Sequence, residues 1–524
     1  MPLAQKISTP NMLAASIVGM VGSGWLLGPL VCANVAGPAA ILTWVLAGLM
    51  MTVVAATFVQ LASKLPTTGG TVRFFQMSYG HFAGFCFSWI AWLAWVAVAP
   101  IEAMAALQYV AHYVPGIMTQ TASPALTHHG ILIAMITMSL ISVINNNGVR
   151  VYGKVNRIVL AFKLLIPLTT VIVLLSLHMN TGNLTAGGSF LPFGIKSLFA
   201  ALPFAGVIYC FIGFNPAVQL SAEAQSQRAI PIAIFGAIAV CIVLYTSIQF
   251  AFITALPANS ITQGWQHVHF TGDVAPFIGL LALFGVVFFI KLLYVDAIVS
   301  PLGTGLTQAM ATSRMTYAMA ENGYFPNAFM KLNANGSPSR AIALNTIVGF
   351  IFFMPFPSWQ QMVGFLSSGL VLGYVVGPMS LMILADTQPA AFATNKKWQR
   401  HGLCLAAFYI CNLMIYWSGW HVVSKIATVF VIGYILLFAM MSLSPTTRDR
   451  INDLQFKRGA WVIAYMASMT LLSYFGSFGG GQQMVTFGND FILMAALTSS
   501  IYALAWYCAY NTLAPTFELR QAVA

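Results

Sequence analysis

Charge is what this chain has least of. Asp and Glu number 10 and Lys and Arg 22 in 524 residues, 6% together. A soluble domain carries about 25% charged residues, so a water-soluble fold is excluded. The constellations of common enzymes are missing as well. There is no Walker A sequence for ATP and no His-Glu-x-x-His pattern for zinc. Gly22-x-Gly24-x-x-x-Gly28 has the wrong spacing for a dinucleotide fingerprint and follows no strand. The nine histidines, among them His128-His129 and His267-x-His269, fall in expected loops or at span ends. No Cys-x-x-Cys pair occurs. Cys32, Cys86, Cys210, Cys241, Cys404, Cys411 and Cys508 lie in or beside apolar runs and read as small buried hydrophobes. The chain therefore reads as not an enzyme, with no catalytic residue, metal or cofactor.

Apolar residues are abundant, at 59%. Runs long enough to cross a bilayer recur along the whole length, as a polytopic membrane protein requires. Hydropathy gives about 14 spans. The first covers 12–34, the sixth 197–220 and the eighth 275–307. The first follows a short head containing Lys6, has no small-residue cleavage site and is interrupted at Gly22–Gly28. It reads as a retained span and not as a signal peptide. Counting from a cytoplasmic N-terminus, inside loops carry Lys64 and Arg73, then Arg150, Lys154 and Arg157, then Arg228. Arg314, Lys331, Arg340, Lys396, Lys397, Arg400, Arg448, Arg450, Lys457, Arg458 and Arg520 continue the series. Roughly 18 of the 22 cations fall inside, against Lys196 and Lys425 outside. The net charge of +12 is thus a topology signal with both termini cytoplasmic, not a nucleic-acid footprint.

Two spans contain helix breakers. Gly22-Ser23-Gly24 weakens span 1 and bares its backbone amides. In span 6, Gly213-Phe214-Asn215-Pro216 combines a glycine with a proline that removes a donor and disfavours helix at the residue before it. A simple proline kink is one reading of the second site. The other follows from position: spans 1 and 6 open two consecutive five-span groups, the arrangement of an inverted-repeat transporter. Lipid offers a broken helix no partner, so a break at membrane depth faces protein or a watery cavity. Half-helix amides suit an anion such as a carboxylate, and freed carbonyls suit an ammonium group. A zwitterionic amino acid carries both.

Four ordered segments resemble the amino acid–polyamine–organocation (APC) family of permeases. Ile17-Val-Gly-Met-Val-Gly22-Ser23-Gly24-Trp25-Leu26 is similar to the family's first-helix IGxxIGSGIF, and Phe211-Ile-Gly-Phe-Asn215 to its sixth-helix motif. Ser221-Ala-Glu223 through Arg228-Ala-Ile-Pro231 resembles the loop AEExKNPxRxIP. Ser313-Arg314-Met-Thr-Tyr317 through Gly323-Tyr-Phe-Pro326, after span 8, resembles SRxxYAMARDGxxP. The likeness extends to bacterial members of about 14 spans, of the aspartate–proton symporter type. It implies the all-α, LeuT-type 5+5 inverted repeat with discontinuous helices 1 and 6, alternating access, and an amino acid or related amine as substrate. Asn215 stands where the family often has an acid. An amide donates and accepts but has no charge, so the resemblance carries no cation recognition to that position.

Ionisable residues at membrane depth cost about 2.5–3.5 kcal/mol each on insertion scales. Glu102, Lys163, Lys291 and Asp296 fall there. Lys163 is either a lysine snorkelling to the interface or a functional group. Its context resembles the fifth-helix lysine of sodium-independent family members, which implies an ammonium in place of a sodium ion near the first-helix break. Asp296, Ser300, Gly303, Thr307 and Arg314 form a polar stripe facing protein, and Asp296 is either a structural bond to another helix or a proton or substrate group. Lys291 does not share that face. Glu102 shares a face with Trp95, Ala106 and Tyr109. Glu223 and Arg228 read as solvated loop charges, with a cytoplasmic gate as the alternative.

The expectation is a ten-helix core over 1–390, with repeats at 12–178 and 197–385, and four further spans and a cytoplasmic tail over 391–524. The last four spans serve packing or assembly. Gly22, Ser23, Gly24 and Trp25, with Phe211, Ile212, Gly213, Phe214 and Asn215, form the expected substrate site, its aromatics gating the cavity. Lys163, Asp296 and Glu102 form the expected proton-coupling set. The partners are a small-molecule substrate, protons and the lipid bilayer of a bacterial inner membrane, without nucleic acid. The function expected is proton-coupled amino-acid symport; an exchanger and a transport-inactive nutrient sensor remain open. A channel ranks below these, because channels build rings about a symmetry axis.

Overall fold

Lipid leaves backbone amides no partner but the chain itself, so long apolar runs close their hydrogen bonds locally, as helices. The computed structural model describes residues 7–67, 69–119, 125–147, 149–270, 276–356, 358–392, 396–443 and 453–523. Lys6, Arg448 and Arg450 lie outside these residues, and the side chains of Arg150, Lys154, Asn156, Arg157 and Arg520 are not described. The first helices are α1 (Thr9–Met20), α2 (Gly24–Ala36), α3 (Ala40–Lys64), α4 (Gly70–Val96), α5 (Val98–Val110), α6 (His128–Asn146) and α7 (Val149–Leu177). There follow α8 (Ile195–Phe204), α9 (Val207–Phe211), α10 (Asn215–Gln219), α11 (Ala229–Ala255), α12 (Pro276–Leu283) and α13 (Val287–Glu321). Then come α14 (Ser339–Phe352), α15 (Trp359–Tyr374), α16 (Val376–Thr387), α17 (Lys397–Tyr416) and α18 (Trp420–Leu443), and last α19 (Asp453–Gly459), α20 (Trp461–Phe475) and α21 (Asn489–Val523).

Among the described residues, 9 helical runs are long and apolar enough to cross a membrane, or 10 if the bent pair Ile195–Phe204 and Val207–Gln219 is one span. The chain is an integral membrane protein. The number is below the about 14 spans expected from hydropathy. The helices α1, α14 and α20 are shorter than 18 residues, and Gly24–Lys64 runs across α2 and α3.

The two expected breaks differ. Between α1 and α2 the helix stops at Val21 (φ −82, ψ 89) and restarts at Gly24. In the sixth span the 62° bend falls at Ala205–Gly206, not at Gly213–Pro216. Gly206 sits in the left-handed region (φ 72), which favours glycine. Ile212–Phe214 tightens to a 3-10 turn instead. Pro216 occupies the first turn of α10, where its missing N–H is no loss. The eighth span also differs: α12 and α13 are separate, and α13 runs on to Glu321, so Ser313, Arg314 and Tyr317 are helical and not in a following loop.

Packing centres on α1, which lies against α7, α10, α11 and α13, while α13 lies along α5. Buried polar groups tie helices together, as membrane interiors require. Gln249 of α11 accepts from Trp44 Nε1 at 2.8 Å and donates to Pro29 O at 3.1 Å, joining α3, α11 and α2. Asp386, at the end of α16, is enclosed by Arg400 (2.9 Å), His401 (3.1 Å) and Lys397 (3.2 Å) of α17 and accepts from Trp506 Nε1 of α21 at 3.0 Å. Cys32, Cys86, Cys210, Cys241, Cys404 and Cys411 are buried free thiols, and Cys508 is half-buried.

Candidate functional site

Stopping α1 at Val21 frees the carbonyls of residues 18 to 21, and buried carbonyls require donors. Each receives one. Lys163 Nζ of α7 donates to Val18 O at 2.9 Å, and also to Val21 O and Thr304 Oγ1. Thr304 Oγ1 lies 3.0 Å from Val18 O and 3.1 Å from Val21 O. Gln308 Nε2 donates to Gly19 O at 3.2 Å, and Tyr245 OH to Met20 O at 2.8 Å. Lys163 is 0% exposed, so it is not a snorkelling lysine.

The restart at α2 bares amides. Ser23 N donates to Glu102 Oε2 at 2.9 Å, and Ser23 Oγ accepts from Trp359 Nε1 at 2.8 Å. Glu102 Oε1 accepts from Tyr209 OH at 2.8 Å. Neither Gly22 nor Gly24 has positive φ. What requires glycine is close approach: a Cβ on Gly22 would stand 2.6 Å from Glu102 Oε1, and one on Gly24 would overlap Cys210 Sγ.

The two interrupted helices meet at Gly19 and Gly213. A Cβ on Gly19 would lie 2.5 Å from Gly213 O, so the backbones touch directly. Ile212 O accepts from Tyr374 OH. Beside the contact is a cavity of about 10 Å³, lined among others by Trp95, Glu102, Tyr209, Gly213, Thr304 and Gln308. The structure thus brings Gly22, Ser23, Lys163 and Glu102 together, with Ile212 and Gly213 alongside.

The aromatics are placed elsewhere. Trp25 packs on Phe277 (5.5 Å between ring centres), Phe211 on Tyr245 (5.4 Å) and Phe214 on Tyr374 (4.9 Å), and none lines that cavity. Asn215 Oδ1 accepts from Thr71 Oγ1 and Gln219 Nε2, each at 3.4 Å, in a buried cluster joining α10 to α4. Asp296 is 0% exposed, and among the described residues neither carboxylate oxygen has a hydrogen-bond partner, so no structural bond to another helix is seen there. Lys163 is the charge that acts on it. The polar face it opens continues through Ser300, Thr304 and Gln308, while Gly303 faces Val159 and Lys163. Lys291 is exposed near the start of α13.

At the end of the molecule carrying Arg73 and Arg314 lies a cavity of about 510 Å³, lined by Thr67, Gln76, Tyr317 and Glu321 with these two arginines among others. Arg73 pairs with Glu321 at 2.5 Å. Arg228 is exposed as a loop charge, but Glu223 is 6% exposed and not solvated. Burial pushes its carboxyl above the ordinary range, with Arg314 pulling it down by less. Ile7 pairs with this loop: Ile7 N donates to Glu223 O at 2.7 Å and Gln225 N to Ile7 O at 2.9 Å.

Tyr209, Tyr245, Thr304, Gln308, Trp359 and Tyr374 were not visible as site residues. Thr304 and Gln308 continue the fourfold spacing from Asp296 and Ser300, which is the one sequence signal that points to them.

Two interrupted membrane helices in backbone contact, with a buried lysine and glutamate holding the first interruption, fit a membrane transport protein. The chain belongs to the amino acid permeases of the APC superfamily: the family model described as "Amino acid permease" matches residues 7–452. It is 32% identical over 520 residues to the glutamate/serine transporter AimA of Bacillus subtilis, covering 97% of this chain and 95% of that protein. It is 30% identical over 508 residues to the aspartate-proton symporter of the same organism, covering 96% of each. The gamma-aminobutyric acid permease of B. subtilis is 26% identical over 447 residues, covering 79% of this chain and 87% of that one.

Proposed function

We propose that the chain is a secondary amino-acid transporter, coupled to protons and working by alternating access. The observation that carries this is the meeting of two interrupted helices at Gly19 and Gly213 beside the buried Lys163 and Glu102. In this reading residues 1–390 are the ten-helix core, two inverted repeats of the LeuT type, within about 14 spans. Both termini are cytoplasmic, in a bacterial inner membrane. The last four spans brace the core through contacts such as those of Asp386.

The amides around Gly22, Ser23 and Gly24 take the substrate carboxylate, as helix N-termini take anions. Backbone at Ile212, Gly213 and Phe214 takes the amine. Trp25, Phe211 and Phe214 support the two interruptions by packing, and Asn215 tunes the sixth helix through Thr71 and Gln219. Lys163 holds the end of α1, and with Glu102 and Asp296 couples proton occupancy to the position of that helix. The central cavity of about 10 Å³ is far smaller than an amino acid, so the conformation described is a closed one. The names of the relatives direct the substrate search to glutamate, aspartate and serine.

The test is uptake of these three labelled amino acids into proteoliposomes, with an inward proton gradient, without one, and with unlabelled amino acid preloaded. Gradient-driven accumulation is the expected result. Uptake only into preloaded vesicles makes the protein an exchanger, and no uptake of any amino acid by folded protein overturns the reading.

A further inference from the structure

Glu102 is a carboxylate lodged where a substrate carboxylate would dock. It is 0% exposed, and its two oxygens accept from the Ser23 amide (2.9 Å) and the Tyr209 hydroxyl (2.8 Å). Ser23 immediately precedes the 13-residue α2, whose first N–H groups have no partner inside the helix. The same cavity holds the complementary feature. Gln308 is 1% exposed, and while its Nε2 donates to Gly19 O, its Oε1 has no partner among the described residues. An α-amino acid brings one ammonium and one carboxylate. Gln308 Oε1 offers the ammonium an acceptor, but the amide suited to the carboxylate is already engaged by Glu102.

We propose that Glu102 is a built-in rival of the substrate: the bound amino acid takes over the Ser23 amide, and Glu102 yields it by accepting one proton. The proposal rests on the amino-acid reading above. Two ionised carboxylates cannot share one small buried space, because their repulsion is barely screened there. A hydronium ion from the aqueous phase gives its proton to Glu102 and leaves as water. The neutral acid then donates a hydrogen bond where the carboxylate only accepted. The charged and titratable groups facing Glu102 are Lys163 from α7, Tyr209 and Cys210 beside it in the sixth span, and Tyr245 from α11; Asp296 of α13 faces Lys163 in turn. Lys163 does not substitute for the proton. Its ammonium is held by Val18 O, Val21 O and Thr304, on the α1 side of the interruption.

An amine without a carboxylate leaves Glu102 in place and binds without proton uptake, so the two ligand classes separate in one experiment. The purified full chain in lipid nanodiscs is titrated calorimetrically with each of the 20 proteinogenic amino acids. Those that bind are repeated, with the corresponding decarboxylated amines, in two buffers of different ionisation heat. About one proton taken up per amino acid bound is expected, with affinity weakening about tenfold per pH unit on the alkaline side. Glu102→Gln is expected to abolish both effects, binding with an affinity that changes less than twofold between pH 5.5 and 8. Tyr209→Phe keeps the carboxylate but removes one of its donors, and is expected to extend binding to higher pH. Amino-acid binding without proton uptake, or the same uptake in Glu102→Gln, overturns the proposal and leaves the transporter reading standing. Should no amino acid bind the folded protein, that reading falls and this inference falls with it.

Discussion

Lys163→Ala removes the donor that closes the end of α1. In the structure Val18 O and Val21 O are served by the Lys163 ammonium and the Thr304 hydroxyl, with the Ser300 hydroxyl a long 3.5 Å from Val21 O. Thr304 has one proton and serves one carbonyl. The other keeps at best the long bond from Ser300, and a buried carbonyl so poorly served costs up to about 1–3 kcal/mol. Glu102 and Asp296 lose their only strong counter-charge at the same time. Removing one partner of a buried charged group costs about 3–5 kcal/mol, and this larger figure is the one to expect. At about 1.4 kcal/mol per factor of ten, the ratio of folded to unfolded protein falls by more than 100-fold. Two assays read this: thermal unfolding of the purified variant in detergent, and initial uptake rate in proteoliposomes across a proton gradient. A clear loss of thermal stability is expected, with gradient-driven accumulation abolished. Lys163→Ala protein that accumulates substrate with the wild-type pH dependence refutes the coupling role. Lys163→Met separates charge from volume, and is expected to fail in the same way.

Three further perturbations probe the frame around the site. Gly19→Ala places a Cβ 2.5 Å from Gly213 O, where ordinary contact begins near 3.4 Å, so the two interrupted helices must part by about 0.9 Å. Overpacking of this kind costs about 1–3 kcal/mol and outweighs the helix propensity gained, whereas Gly364→Ala, with nothing within 4 Å, is expected to be neutral or slightly stabilising in the same thermal assay. Asp386→Asn leaves Arg400, which is 6% exposed, without its carboxylate; about 3–5 kcal/mol of stability is expected to be lost, read as earlier release of the last helices in limited proteolysis. Glu223 binds protons more tightly folded than unfolded, so the native state loses stability as pH rises above the ordinary glutamate value of 4.5. Glu223→Gln is therefore expected to match the wild type in acid and to melt progressively later than it as pH rises; the opposite slope would show that pairing with Arg314 outweighs burial.

What could be read in the sequence was local. Gly22-Ser23-Gly24 marked the first interruption because small residues in an apolar run are a local signal, although the glycines turned out to serve close approach and not unusual φ. Pro216 misled because proline breaks a helix interior but is tolerated in a first turn, and the bend moved to Gly206. Charges at membrane depth singled out Glu102, Lys163 and Asp296 by their cost. Their partners were not legible: Ser23 and Glu102 are 79 residues apart, and Lys163 and Val18 145. The burial of Glu223 was not legible for the same reason, since Ile7, bonded to its backbone, and Arg314, acting on its carboxyl, come from distant parts of the chain. That Trp25, Phe211 and Phe214 pack on Phe277, Tyr245 and Tyr374 was not legible, because side-chain facing depends on where the neighbouring helices lie.

The placement of the two buried charges follows from the interruption itself. A helix cut in two creates a new C-terminus with negative partial charge and a new N-terminus with positive partial charge. Here the ammonium of Lys163 meets the new C-terminus at Val18 and Val21, and the carboxylate of Glu102 meets the new N-terminus at Ser23. Each side chain has the sign its end requires, and each comes from a different helix, α7 and α5. Neither group can change its charge without loosening one half of the first span relative to a neighbour. The same cut made within one uninterrupted salt bridge would not have this property, because both charges would then compensate each other and leave the backbone ends bare. A change of charge at either side chain therefore acts on α1 or α2 through backbone atoms, and a ligand that competes for those atoms acts on the same contacts.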